Sequence, residues 1–227
     1  MKVEYVDHMG TDLSVVDAAR ASFDKKSSWE CKDPHECVND LGCGYCNLKQ
    51  EDAKLISYLT KHNHWTPFAH TAITLRMQAP IPIRTQCFKH KAGFVENEES
   101  RRYISGAPGL FRPENFRKAP EGSVKQGSGE IHQDTDYFAS RYEEMCTDAI
   151  KEYEDWIERG VCPEQARFLL PQGVLVNWVW TGNLASFARF YSLRTDPHAQ
   201  KEVQDLAKMV GDIIEPLFPV SWKALTQ

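Results

Sequence analysis

The chain lacks any long apolar run, and its first residues lack the apolar segment of a secretion signal. A helix that crosses a bilayer needs roughly 20 consecutive apolar residues, and no stretch approaches that length. We also find no internal repeat and no low-complexity tract. These absences predict a cytoplasmic protein with no membrane partner.

An excess of positive charge is missing too. The 27 Lys and Arg residues are outnumbered by 32 Asp and Glu residues, so the net charge is -5. This balance disfavours binding to a nucleic-acid polymer through the whole surface.

The 7 cysteines are an odd number and no export signal accompanies them, so we expect no disulfide framework. A length of 227 residues with 41% hydrophobic content predicts a single domain, residues 1–227, with a proper core.

Hydrophobic periodicity predicts several helices and a few separated strands. Strands are expected at residues 2–7, 71–77 and 174–180, the last ending in a Thr181-Gly182-Asn183 turn. Helices are expected at residues 13–23, 51–62, 80–90, 133–158, 184–193 and 199–217, with a short one starting at Pro163, and residues 106–129 read as a surface loop. This mixture favours the α+β class.

A polar insert lies at about residues 29–47 and contains four cysteines. Cys31, Cys37, Cys43 and Cys46 could bind a structural zinc ion together with His35, although the first pair is spaced more widely than usual zinc ligands. A loop without metal is the alternative, and we assign no metal ligand.

Other candidate metal or nucleophile positions are better explained by packing. His64 and His70 are typical of structural histidines at the entrance of a strand rather than of a metal pair. We expect Cys87, Cys146 and Cys162 to be small buried hydrophobic residues.

The most informative segment runs from residue 86 to residue 103. It combines cations, carboxylates and a hydroxyl within eighteen positions: Gln86, Lys89, His90, Lys91, Glu98, Glu99, Ser100, Arg101 and Arg102. Phosphates and pyrimidine rings need this mixture of donors and acceptors, because unpartnered buried polar groups are costly. A solvated charged loop at the end of a helix is the simpler alternative.

Four ordered segments resemble the flavin-dependent thymidylate synthase family. They are residues 19–23 (ARASF), residues 64–70 (HWTPFAH), residues 166–171 (ARFLLP) and residues 193–200 (LRTDPHAQ). The dense segment resembles the family's Arg-His-Arg triplet and the Ser that follows it. Here the triplet is Lys89-His90-Lys91, and one extra residue, which we place at Glu96, separates it from Ser100. Lysine is a point charge whereas arginine is a bidentate donor, so the flavin phosphate contacts are expected to differ.

The resemblance implies an α+β fold with a central, mostly antiparallel sheet and flanking helices. It further implies an enzyme that methylates dUMP to dTMP with FAD, NADPH and methylenetetrahydrofolate, as a homotetramer with shared active sites. By the same resemblance, Ser22, Lys89, His90, Lys91, Glu98, Asn183, Arg189 and His198 hold the flavin.

The same family implies the nucleotide contacts. Gln86, Lys89, Glu98, Glu99, Ser100, Arg101 and Arg102 hold the nucleotide, Arg167 reaches its phosphate from another subunit, and Arg194 is the catalytic residue against the uracil ring. Arg189 stands where the family often has Asn, and Arg101 where Gly is common.

Two other functions are alternatives to thymidylate synthesis. One is that of a related flavin enzyme that makes another C5-modified pyrimidine nucleotide, and the other is that of a non-catalytic nucleotide-binding protein.

Overall fold

A four-stranded antiparallel sheet forms the centre of the protein. The computed structural model describes residues 1–31, 46–120 and 127–227. The sheet has the strand order β1-β4-β6-β5, in which β1 is Lys2–Met9, β4 is Ala72–Pro80, β5 is Phe94–Glu98 and β6 is Leu175–Gly182. Every adjacent pair is antiparallel. The predicted α+β class with an antiparallel sheet is therefore confirmed.

The two central strands alternate between buried and partly exposed side chains. In β4 the buried positions include Leu75 and Met77, and in β6 they include Trp178 and Trp180. Successive side chains of a strand point to opposite faces, so this alternation gives the sheet one fully apolar face. Six of the eight helices described next contribute buried side chains to the core on that face.

Eight helices accompany the sheet in the described residues. They are α1 (Asp12–Arg20), α2 (Gln50–Lys61), α3 (Ile81–Cys87), α4 (Thr135–Glu158), α5 (Pro163–Ala166), α6 (Leu184–Arg194), α7 (Lys201–Ile214) and α8 (Pro219–Thr226). Short 3-10 turns lie at Ala21–Phe23, Thr66–Ala69 and Arg167–Leu169. In α7 the residues Val203, Leu206, Val210 and Ile214 recur every three or four positions and are fully buried, as an amphipathic helix requires.

An aromatic cluster fixes α6 against the end of the sheet. Trp180 stacks on Phe94 with 4.2 Å between ring centroids, and Phe187 and Phe190 of α6 meet the Trp180 ring edge-on. Burying one such side chain stabilises the fold by about 1.5–3 kcal/mol. The cluster therefore determines where the N-terminus of α6 lies, which matters for the site described below.

Three elements differ from the sequence-based prediction. Strand β5 and helix α8 were not predicted, and Thr181 and Gly182 continue β6 instead of forming a turn. Strand β5 is short, and it is defined by its pairing with β6, for example Val95 opposite Thr181. A local hydrophobic pattern carries no information about such a partner.

The predicted long helix is confirmed as α4, but its apolar stripe is only partly covered within this chain. Tyr137 and Met145 are more than 60% exposed, whereas Cys146 and Tyr153 are buried.

The expectation that the three isolated cysteines are buried holds for Cys87 and Cys146. It is wrong for Cys162, which is exposed because it lies at the N-terminal cap of α5.

The insert begins and ends in a two-stranded hairpin. Strands β2 (Glu30–Cys31) and β3 (Cys46–Asn47) pair antiparallel, and Cys31 and Cys46 face each other as a disulfide. The expectation of no disulfide is therefore wrong for this pair, because hairpin pairing places the two residues directly opposite one another. Cys37, Cys43 and His35 lie outside the described residues.

The described part of the chain has neither a membrane-spanning helix nor a metal-binding cluster. In residues 1–31, 46–120 and 127–227, no helix is long and apolar enough to cross a bilayer. The same part of the chain contains no group of three or more His, Cys, Asp or Glu side chains with metal-binding geometry.

Candidate active site

A polar pocket of about 580 Å³ lies between α3, the end of β5 and the 3-10 turn after α5. Its charged lining consists of Arg84, Glu98, Glu99, Arg101 and Arg167. The chain segments that supply these side chains are distant in sequence and meet because β5 and β6 are paired in the sheet. Three guanidinium groups and two carboxylates within one cavity are suited to an anionic ligand that also carries neutral polar groups. We call this cavity the arginine pocket.

The arginines and carboxylates of the arginine pocket partly satisfy one another. Arg84 Nη2 lies 3.1 Å from Glu98 Oε1. Glu99 accepts a hydrogen bond of 2.8 Å from Asn177 of β6, and Arg101 Nη2 stands 3.8 Å from its other oxygen. Burial raises the pKa of Glu98; Arg84 opposes this shift, and the neighbouring Glu99 charge adds to it.

Three buried polar atoms of the arginine pocket have no hydrogen-bond partner. They are Arg84 Nε, Glu99 Oε1 and Arg101 Nε, half of the six such side-chain atoms found in the described residues. A buried donor or acceptor without a partner costs about 1–3 kcal/mol. All three residues line the arginine pocket, so half of the unpartnered atoms of the described residues belong to the lining of this one cavity.

Of the other residues predicted to bind the nucleotide, Ser100 and Arg167 line this pocket, whereas Gln86 and Arg102 are not part of its lining. Ser100 lines it, and its Oγ accepts a 3.3 Å hydrogen bond from the backbone of Arg102. The Arg102 side chain is about half exposed and pairs with Glu164. Gln86 lies on α3, where its amide donates to Gln200 at 2.6 Å. Arg167 lines the pocket of its own chain in this structure.

A second group of predicted residues surrounds the triplet Lys89-His90-Lys91, directly after α3. Arg194, the last residue of α6, donates from Nε to His90 Nε2 at 2.9 Å and from Nη2 to the Gln86 carbonyl at 3.2 Å. The His90 ring also meets Phe190 edge-on, with 5.1 Å between centroids. We call His90, Arg194 and their contacts the histidine–arginine cluster.

The electrostatics of this cluster fix the protonation state of His90. Burial, together with the positive charges of Arg194 and Arg189, lowers its pKa to about 4. At neutral pH the ring is therefore uncharged. Because Nε2 accepts the hydrogen bond from Arg194, the ring proton resides on Nδ1.

The two lysines of the triplet have different environments. Lys91 forms a close ion pair with Glu96 and stands over the Phe88 ring. Glu96 is the residue at which we placed the insertion, and its carboxylate offsets the Lys91 charge. Lys89 is exposed, and no carboxylate of the described residues pairs with it.

The loop after the triplet is fixed to the first turn of α6. Asn183 caps this helix by accepting hydrogen bonds from the backbone and hydroxyl of Ser186, each 2.9 Å long. The Ser186 hydroxyl also lies 2.9 Å from the carbonyl oxygen of Ala92. Gly93 has a φ of +75°, and a Cβ there would lie 2.1 Å from Ser186 Oγ. These contacts hold the triplet close to Asn183.

The remaining predicted flavin residues lie on exposed surface. Ser22 is exposed on the turn Ala21–Phe23, and Arg189 is exposed on α6. His198 is exposed and its Nδ1 lies 3.0 Å from Asp196. In the described part of the chain no hydrogen bond joins Ser22 to the triplet.

Sequence reasoning missed Arg84, Gly93 and Ser186 as site residues. Arg84 gave only a weak signal: it is a cation on the same predicted helix as Gln86, but side chains two positions apart on a helix point to different faces. Gly93 and Ser186 gave no local signal, since their contact joins segments about ninety residues apart.

Comparison with known proteins assigns the chain to a family. A family model described as "Thymidylate synthase complementing protein" matches residues 4–220, nearly the whole chain. The chain belongs to the flavin-dependent thymidylate synthase family. It is thus an enzyme of that family, and the resemblance noted in the sequence is confirmed.

Named relatives match this chain over nearly its whole length. A flavin-dependent thymidylate synthase of Thermosipho africanus is 32% identical over 223 residues, which cover 96% of this chain and 88% of the relative. The enzyme of the same name from Thermus thermophilus is 29% identical over 225 residues, covering 99% of this chain and 75% of the relative.

Solved structures show the same fold. A UMP/dUMP methylase, PolB from Streptomyces cacaoi bound with 5-Br UMP, superposes with a TM-score of 0.81 at 26% identity, covering 99% of this chain and 93% of that one. The same protein bound with 5-Br dUMP gives a TM-score of 0.77 at 28% identity, covering 99% and 94% of the two chains.

Proposed function

We propose that the enzyme methylates dUMP to dTMP, with methylenetetrahydrofolate as one-carbon donor and NADPH-reduced FAD as hydride donor. The observation that carries this proposal is the placement of the arginine pocket beside the histidine–arginine cluster. Helix α3 joins them, because Arg84 lines the pocket while the carbonyl of Gln86 binds Arg194. One short helix thus connects an anion-binding cavity to the proposed catalytic guanidinium.

The arginine pocket would hold the nucleotide. Ser100 and the Arg101 and Arg102 segment of the same chain, together with an Arg167 contributed by another subunit, would contact the phosphate, since guanidinium groups form strong charge-assisted hydrogen bonds with it. Gln86, Lys89, Glu98 and Glu99 complete the proposed nucleotide contacts.

Arg194 would lie against the uracil ring. A guanidinium beside the ring nitrogen and its neighbouring carbonyl favours the ionised ring and stabilises charge that develops there, which activates C5. His90 contributes by holding Arg194: its neutral Nε2 accepts the guanidinium Nε–H and leaves other guanidinium donors for the substrate.

The side chains around the triplet fit a phosphate-bearing flavin. Lys89 and Arg189 are exposed cations near His90, since Lys89 precedes it in the chain and the charge of Arg189 helps to lower its pKa, so both can pair with phosphate oxygens. Ser22, His90, Lys91, Glu98 and His198 are the other proposed flavin residues. When bound, FAD supplies the hydride for the methyl group.

We further propose that the protein assembles as a homotetramer with shared active sites, in which Arg167 binds the nucleotide of another subunit. Exposed apolar side chains on α4 and beside the pocket support an assembly: Tyr137, Met145 and Phe168 are each more than 60% exposed.

An absorbance spectrum followed by product analysis tests the proposed function. Purified protein should be yellow and should convert dUMP to dTMP when given methylenetetrahydrofolate and NADPH. Release of a hydroxymethylated nucleotide instead would support a related flavin enzyme with another product. A colourless protein that takes up neither FAD nor dUMP would support a non-catalytic role.

A further inference from the structure

A chain of hydrogen bonds runs from Arg117, in the long surface loop, to Gln86 on α3. Arg117 Nη2 donates to Glu202 Oε1 at 2.5 Å, and Gln200 Nε2 donates to Glu202 Oε2 at 2.8 Å. Gln86 Nε2 donates in turn to Gln200 Oε1 at 2.6 Å. The backbone carbonyl of Gln86 accepts from Arg194 of the histidine–arginine cluster. We call Glu202, Gln200 and Gln86 the glutamine relay.

The first member of the relay, Glu202, can only accept hydrogen bonds. Burial alone would raise the pKa of its carboxyl group, but the hydrogen bonds from Arg117 and Gln200 outweigh burial, so the pKa lies below its ordinary value. The group is therefore ionised at neutral pH, and an ionised carboxylate has no proton to donate. Since one oxygen is occupied by the guanidinium, the other must receive the NH2 group of Gln200.

This obligatory acceptor fixes the orientation of both glutamine amides. Because Gln200 turns its NH2 group to Glu202, its oxygen faces Gln86, and Gln86 has to donate through its own NH2 group. The amide oxygen of Gln86 takes no part in the relay. In the described part of the chain no hydrogen bond reaches this oxygen, and it is not among the buried atoms that lack a partner. It is therefore an acceptor that a ligand can reach.

We propose that Glu202 is a positioning residue that acts through Gln200 to make Gln86 present its amide oxygen to the nucleotide. This inference rests on the proposed function, in which Gln86 contacts the nucleotide. Its partner is an N–H of the base or a hydroxyl of the sugar, since the phosphate is mostly deprotonated at neutral pH. Neither Glu202 nor Gln200 was predicted from the sequence to be a site residue.

Reversing the relay tests this role. In Glu202→Gln the new amide oxygen should stay on Arg117, because hydrogen bonds to a charged donor are stronger, and its NH2 group then faces Gln200. The amides of Gln200 and Gln86 both turn over, and Gln86 presents an N–H. We expect the flavin-loaded variant to bind dUMP about tenfold more weakly in titration calorimetry, because a donor then meets a donor. Glu215→Gln, exposed directly after α7, is the control and should leave the affinity unchanged.

The double variant Glu202→Gln with Gln200→Glu exchanges the amide and the carboxylate. The carboxylate, now at position 200, accepts from Gln86 and from the amide at position 202, so Gln86 regains its native orientation. The dUMP affinity should return to within about threefold of wild type. Both the single and the double variant lose the ion pair with Arg117 and should be destabilised alike in urea denaturation. Restored affinity therefore cannot come from restored stability.

Each outcome decides the inference. Unchanged dUMP affinity in Glu202→Gln, or a double variant that binds as weakly as the single one, overturns the role of Glu202 while the proposed function stands. Wild-type protein that binds no dUMP overturns both.

A second variant keeps the inference testable if Glu202→Gln does not fold, as judged by circular dichroism. Gln200→Leu removes an exposed side chain and leaves the ion pair of Arg117 with Glu202 in place. It should weaken dUMP binding about fivefold, because the released amide of Gln86 must be ordered when the nucleotide binds. An unchanged affinity in this variant contradicts the inference.

Discussion

The arginine pocket and the histidine–arginine cluster satisfy their polar groups in opposite ways. In the pocket, charged side chains balance one another but leave three buried atoms without partners. In the cluster, a neutral histidine accepts from a single arginine, whose second donor binds a backbone carbonyl. The pocket thus keeps buried polar groups that its own side chains do not satisfy, whereas the cluster is already connected. From this difference we infer that the pocket binds the substrate and that the cluster positions the guanidinium of Arg194.

The largest effect is expected from a substitution at Arg194, in the histidine–arginine cluster. We expect Arg194→Ala to lower turnover about a hundred- to a thousandfold, because charge developing on the uracil ring loses its stabilising cation. Flavin should remain bound, since the triplet loop is held separately by Asn183 and Ser186. Product formation and the flavin spectrum are the measurements, with the exposed Arg141→Ala on α4 as control. Normal turnover in Arg194→Ala would remove it from the catalytic role.

A substitution at Arg167 should affect binding instead of chemistry. Losing a charge-assisted hydrogen bond costs about 1.5–3 kcal/mol, so Arg167→Ala should weaken nucleotide binding about ten- to a hundredfold. Calorimetry with dUMP measures this change, and the exposed Arg159→Ala serves as control. If turnover at saturating dUMP fell while the affinity stayed constant, Arg167 would act in catalysis and the division between the two regions would fail.

The connection between the triplet loop and α6 can be tested at Gly93. Gly93→Ala introduces a positive-φ alanine whose Cβ meets Ser186 and Asn183, and we expect a loss of about 2–4 kcal/mol in unfolding free energy. Gly160→Ala is the matched control, since its φ is +88° and no atom lies within 4 Å of its Cβ.

The control should cost only about 1–2 kcal/mol, the strain of a positive φ alone. Urea denaturation measures both variants. Equal losses in the two would mean that the close approach to Ser186 contributes nothing to stability.

The smallest expected effect concerns the protonation of His90. Its pKa is about 4 in the folded protein, below the ordinary value of 6.5 that it regains on unfolding. Between these values the unfolded chain binds more protons, so the His90 contribution to stability is present above pH 6.5 and is lost as the pH falls towards 4.

Replacing the imidazole isolates this contribution. His90→Gln retains an acceptor for Arg194 but does not titrate, so its unfolding free energy should depend less steeply on pH between 4 and 6.5. Urea denaturation at several pH values gives the two slopes. Identical slopes in variant and wild type would show that His90 does not titrate as the buried cluster requires.

Much of the fold could be predicted from local patterns. The long helix α4 and the amphipathic helix α7 gave clear periodicities, and the alternating residues of β4 indicated a half-buried strand. Strand β5 and the exposed position of Cys162 escaped prediction, because pairing with β6 and packing of the chain decide them. The same limit applies to the disulfide of Cys31 and Cys46, which depends on hairpin register.

For the site, local sequence patterns were enough to give the available residue types and the family to which the chain belongs. Lys89, His90, Glu98 and Arg194 were predicted as site residues from ordered motifs, since such motifs preserve spacing along the chain. Which of these residues meet depends on the three-dimensional packing of distant segments. The contact of Arg194 with His90 and the unpartnered oxygen of Glu99 depend on segments up to about a hundred residues apart, and their geometry follows from sheet pairing and aromatic packing.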